Sequence, residues 1–163
     1  MENVFNHFDE QGNAIMVDVT DKKVTSRKAI AEGAIKVSPA VMDAVLNHHA
    51  AKGDVLGVAR IGGIMGAKRT AFLIPLCHPL ALGHVSVDFE LDEKNCLIIA
   101  RCTAKIDGKT GVEMEALTGV TTALLTVYDM CKAIDKGMEL QHIHLVHKEG
   151  GKSGNYDRPE SIR

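Results

Sequence analysis

A chain of 163 residues, 45% hydrophobic and 25% charged, has the size and composition of one globular domain, which excludes bulk disorder and fibrous repeats. Its formal charge of −2, the absence of Trp and an aromatic content of 4% argue against a nucleic-acid binder, which needs a basic face or exposed stacking rings. No apolar run approaches the ~20 residues of a membrane span and no signal peptide opens the chain, so a cytoplasmic protein without membrane contact is expected.

Residues 1–21 hold five acids and no Lys or Arg, without periodicity, and residues 1–20 read as a flexible acidic tail. From 28 to 37, Ala29, Ala31, Ile35 and Val37 alternate with polar or larger neighbours, a strand pattern. Ser38-Pro39 then starts a helix, Ser as cap and Pro where its missing N–H costs nothing. Val41, Ala44, Val45 and His48 form its stripe, and Gly53 suits a left-handed cap at its end. Asp54 caps a second helix carrying Val55, Val58, Ala59 and Ile61. Gly57, Gly62, Gly63 and Gly66 each cost that helix up to ~1 kcal/mol, so they imply close backbone approach to a strand, a partner subunit or a ligand.

The two prolines of 74–80 make a stiff loop. Residues 84–91 alternate cleanly, turn at 92–95 and continue into 96–106, a hairpin. A long helix is predicted over 112–135 and a last strand over 139–147, before a flexible Gly- and Lys-rich tail, 148–163. The order β-α-(α)-β-β-α-β predicts a ferredoxin-like α+β domain over 21–147, an antiparallel sheet with helices on one face and one helix inserted. The four cysteines form no CxxC pair and read as reduced thiols, with Cys96, Cys102 and Cys131 as small core residues.

The chemistry is less plain. Gly108-Lys109-Thr110 and Gly151-Lys152-Ser153 end like phosphate loops, but Thr103 and Val146 stand where the motif requires glycine. His142 and His144 share a strand face, yet no Cys/His set has metal-site spacing. On the long helix Glu115, Thr118, Thr122, Asp129 and Lys132 share one face, opposite Ala116, Val120, Ala123 or Leu124, Val127 and Ile134. Asp129 and Lys132 read plainly as an exposed ion pair worth ~0.3 kcal/mol. Thr110 and Glu113 fit a capping box, and Lys52 suits a helix C-terminus. His78, between two prolines, belongs to no periodic element.

Seven blocks taken together say more. They are MVDV (16–19), HHAAKGDV (48–55), AKRT (67–70), LIPLCHPL (73–80), GKTGVEMEALT (108–118), YDMCKA (128–133) and GGKSG (150–154). Over roughly 15–155 the chain resembles the cyclic pyranopterin monophosphate synthase (MoaC) family. The resemblance implies a lyase of molybdenum-cofactor biosynthesis that rearranges 3′,8-cyclised dihydro-GTP and releases pyrophosphate. It also implies a homohexamer, a trimer of dimers, with active sites at a subunit interface. There the glycine-rich second helix would pack between chains.

Catalytic roles fall by resemblance to Lys52, Lys132 and Asp129, the lysines as acid and base and one with its pKa lowered by the other's charge. Leu76, Cys77, His78, Glu113, Met114 and Glu115 match substrate-binding stretches, and Arg27, Lys148 and Lys152 are candidates for the pyrophosphate. No metal site and no tightly bound cofactor are implied, with room for Mg2+ accompanying the triphosphate. The competing reading is a non-catalytic nucleotide-sensing or interaction module on the same fold.

Overall fold

The alternating segment folds as β1 (Thr25–Lys36), starting three residues earlier than its pattern suggests. A computed structural model of the chain describes residues 7–47, 53–152 and 154–159. Ser38 caps α1 (Pro39–Leu46), its side chain accepting from the Val41 amide. The helix ends at Asn47 rather than at Gly53; Gly53 does take a left-handed φ of +87°, but in the approach to the next helix. Asp54 caps α2 (Val55–Lys68), accepting from Gly57 N at 2.9 Å, and a short α3 (Thr70–Leu73) follows.

The hairpin is β2 (His84–Asp92) and β3 (Leu97–Gly108), in register from His84↔Lys105 to Asp92↔Leu97. Then come α4 (Glu113–Cys131), β4 (Glu139–Glu149) and β5 (Tyr156–Asp157). The sheet runs β2-β3-β1-β4-β5, antiparallel throughout, so its first four strands have the expected ferredoxin-like order. β1 is central, with Ala29, Ala31, Ala34 and Ile35 fully buried. A Cβ on its Gly33 would come within 2.8 Å of Val120 on α4, which is how closely that helix lies on the sheet.

Three of the four glycines of α2 lie against α4, while Gly57 lies against the Asp54 cap. A Cβ on Gly63 would stand 2.8 Å from the Gly119 carbonyl, and one on Gly62 would stand 2.6 Å from the Thr126 hydroxyl. Gly66 meets Thr122 in the same way. This row therefore seats α2 on α4 of the same chain. Val58 and Ile61, on the other side of α2, are exposed.

α4 also departs from the pattern. It stops at Cys131 with Lys132 as its cap, because Ile134 N bonds Cys131 O in a tight turn and leaves Ile134 exposed. Val112 occupies the N-cap with no side-chain bond, so Thr110 and Glu113 form no capping box. Glu115, expected on a polar face, is 4% exposed. Cys102 and Cys131 are buried as expected; Cys96 is half-buried in the hairpin turn at φ 49°. His142 sits in a bulge at φ 55°, which interrupts the alternation that would align it with His144.

Both ends carry more structure than the tails expected. Residues 7–21 hold a Phe8↔Ala14 bridge and two bonds to the body of the domain, described below. β4 extends through Lys148 and Glu149, and β5 pairs back on it. Among the described residues no helix is long and apolar enough to cross a membrane.

Candidate active site

Arg27, near the start of β1, donates from Nε to Gly108 O at 3.0 Å and from Nη2 to Lys109 O at 3.2 Å. Gly150 and Gly151, both in the left-handed region, lie against Ser26 and the Arg27 guanidinium, where no Cβ would fit. One side chain thus ties β1 to the β3–α4 loop, with the end of β4 folded onto it. These three segments border a cleft of about 970 Å³. Seven cationic side chains line it against four carboxylates. Arg27, Lys148 and Lys152 are among the seven. Lys22 and Lys109 join them, and neither was a candidate from sequence. Lys22 follows an aperiodic segment, and Lys109 sits in what reads as a phosphate-loop imitation.

Glu113 closes one side. Its Oε1 accepts from Lys148 Nζ at 2.8 Å, both side chains partly buried. Beyond it lies a second cleft of about 280 Å³, whose wall also includes Lys22, Thr110 and Gly111 of the first. Leu76, Cys77, His78, Met114 and Glu115 line this one. All nine candidate substrate-binding residues therefore converge on two adjoining clefts that meet at Glu113. His78 Nε2 is 2.8 Å from Val17 O; a carbonyl only accepts, so Nε2 carries the proton. Lys109 Nζ donates to Thr20 O at 2.6 Å, and these two bonds lay residues 17–20 beside both clefts.

The titratable groups differ in kind. Burial drives the Glu115 carboxyl up to about 7, with the charge of Glu113 adding to the rise. Such a group gives and takes a proton near neutrality. Burial also raises the Cys77 thiol, and Glu115 raises it further, so Cys77 is a thiol rather than a thiolate nucleophile.

Asp129 and Lys132 lie elsewhere. Lys132 Nζ bonds Asp129 Oδ1 at 2.7 Å, with side chains 52% and 57% exposed, and neither residue lines either cleft. Glu115 and Asp129 are fourteen positions apart on α4, roughly 21 Å along its axis. The Asp129 hydrogen bond and charge raise the Lys132 pKa. Lys52, the other candidate of this group, lies outside the described residues. Among the described residues no cluster of three or more His, Cys, Asp or Glu could hold a metal ion.

A ferredoxin-like domain with a cationic cleft opening onto a half-apolar one, and a carboxyl titrating near neutrality in the wall of the second, has the equipment of an enzyme for a phosphorylated heterocycle. The MoaC family model matches residues 16–151, and the chain belongs to that family. A relative from Clostridium botulinum is 58% identical over 156 residues, covering 96% of this chain and 98% of its own. Others from Trichlorobacter lovleyi and Cereibacter sphaeroides are 54% and 56% identical, over 96% and 93% of this chain and 98% and 95% of their own. All three are named cyclic pyranopterin monophosphate synthase.

Proposed function

We propose that this chain is a cytoplasmic lyase of molybdenum-cofactor biosynthesis, converting 3′,8-cyclo-7,8-dihydro-GTP to cyclic pyranopterin monophosphate and pyrophosphate. The carrying observation is the pair of clefts meeting at Glu113, one cationic and one part-apolar, in a chain so similar to named synthases. The cationic cleft takes the triphosphate. Charge-assisted bonds from Arg27, Lys148 and Lys152 stabilise the charge that builds on departing pyrophosphate, with any Mg2+ arriving on the substrate. The Lys148–Glu113 pair stands at the junction, where Glu113 orients the sugar and base. Purine ring opening and reclosure need repeated proton transfers. Glu115, with a pKa of about 7, and His78 are placed for those at the base. A sensing module would have no use for a carboxyl poised in this way.

Asp129 and Lys132, with Lys52, supply the remaining acid–base groups. Asp129 keeps Lys132 charged, so that lysine starts as the acid. Their distance from the clefts of their own chain supports a site completed by a second copy, in a trimer of dimers. The exposed apolar side chains of α2 and α3 support assembly as well: Val58, Ile61 and Met65 recur at helical spacing, and Phe72 is 88% exposed. Incubation with the cyclised GTP intermediate should release one pyrophosphate per pterin formed. Binding without pyrophosphate release would leave the sensing module as the better reading. Sedimentation velocity should give a hexamer at micromolar concentration; a monomer there would remove the shared site.

A further inference from the structure

We infer that His147 is a positioning residue of the phosphate cleft: its imidazole latches β5 onto β4 and so holds Gly150–Lys152 over Arg27. The inference rests on the proposed phosphate role of that cleft. β5 has little else to hold it. It is two residues long, both exposed, and among the described residues it pairs as His147↔Asp157 and Lys148↔Tyr156, with a bond from Arg158 N to Val146 O at 2.8 Å. His147 lies at the base of this hairpin. Its Nδ1 is 2.7 Å from Asp157 Oδ1 and its Nε2 is 3.3 Å from Glu149 Oε2.

A carboxylate oxygen accepts, so Nδ1 donates to Asp157, and in the protonated ring Nε2 donates to Glu149 as well, joining β4 to β5. The charged groups facing it are Asp157 from β5, Glu149 from β4 and Lys28 from β1, whose Nζ is 3.7 Å from Glu149. The Asp157 hydrogen bond raises the imidazole's pKa, Glu149 adds to the rise, and partial burial and Lys28 work against it. The connection between the strands includes Gly150, Gly151 and Gly154, all at positive φ. Gly150 and Gly151 lend the end of β4 little stiffness of their own, so the latch beside them sets where Lys152 and the Gly150 and Gly151 amides stand.

A group whose pKa is raised by folding stabilises at low pH and loses its effect as pH rises through the folded value. The latch is therefore closed below pH 6.5 and loosens as pH rises above the ordinary imidazole value. Hydrogen exchange on the full chain without ligand reads it directly. His147→Gln should lower protection of the Arg158 amide about fivefold at pH 6, the upper range for an exposed ion pair. His147→Arg should keep that protection at pH 8.5, where the wild type falls towards the Gln variant.

Inorganic tripolyphosphate, titrated calorimetrically at pH 6, should bind the Gln variant about fivefold more weakly and the Arg variant nearly as well as wild type. In turnover the Gln substitution should raise KM and leave kcat within about twofold. Equal Arg158 protection in wild type and the Gln variant would overturn the latch. Lost protection with unchanged tripolyphosphate affinity would overturn the positioning role. No tripolyphosphate binding by the wild type would overturn the phosphate reading of the cleft, while the exchange result still decides the latch.

Discussion

Replacing Glu115 with Gln should inactivate the protein and stabilise it at the same time. The carboxyl is 4% exposed and titrates at about 7, against 4.5 for a free glutamate. Undiscounted, that difference is worth about 3 kcal/mol. Glu115 borders a cleft that admits solvent, and the screening this brings leaves about 2 kcal/mol. The folded state holds this proton more tightly than the unfolded one. The stabilisation is therefore complete below pH 4.5 and is lost as pH rises through 7. Gln is a neutral isostere that cannot ionise. Urea denaturation at fixed protein concentration should show the wild type losing about 2 kcal/mol between pH 5 and pH 8 through this group. Glu115→Gln should lose that part of the slope and be the more stable protein at pH 8, with turnover down by about 10² or more. A variant less stable than wild type at pH 8, or one with the wild-type slope, would refute the buried neutral acid.

Lys132→Ala and Lys52→Ala should each abolish turnover, and Asp129→Asn should cut it by about 10²; thermal melts of the Asp129 and Lys132 variants should match wild type, because that ion pair is exposed. Gly63→Ala should destabilise by about 1–3 kcal/mol in urea, since its Cβ would stand 2.8 Å from the Gly119 carbonyl. If the substitution altered only assembly and left stability unchanged, the α2–α4 reading of the glycine row would fail. Ile61→Lys, on the opposite side of α2, should reduce the sedimentation coefficient and the activity together while the circular dichroism stays native.

Local signals carried most of the fold. Ser38-Pro39 and Asp54 cap their helices as their types dictate, and the β2–β3 hairpin follows its own alternation, because each depends on neighbours in sequence. The departures have tertiary causes. Glu113 looks like a cap residue until the end of β4 brings Lys148 to within 2.8 Å of it, a pairing across 35 positions. Glu115 shares a helical face with Thr118 and Thr122, and periodicity cannot show that α2 and the 76–80 loop close over that face. The glycines of α2 announced a close approach without saying to what, and for three of the four the partner is α4. Lys22 and Lys109 joined the site through residues 17–20, an aperiodic stretch whose two anchors, His78 and Lys109, are far away in sequence.

In the proposed assembly one site joins the clefts of one copy to the Asp129–Lys132 pair of another. Mixing two inactive variants tests it most directly. Glu115→Gln keeps an intact lysine pair, and Lys132→Ala keeps intact clefts. Unfolded together in equal amounts and refolded, they should form mixed assemblies in which about a quarter of the sites join two intact halves. Pyrophosphate release from the cyclised GTP intermediate should then recover towards about a quarter of the wild-type rate. Mixed assemblies that form and stay inactive would contradict the shared site.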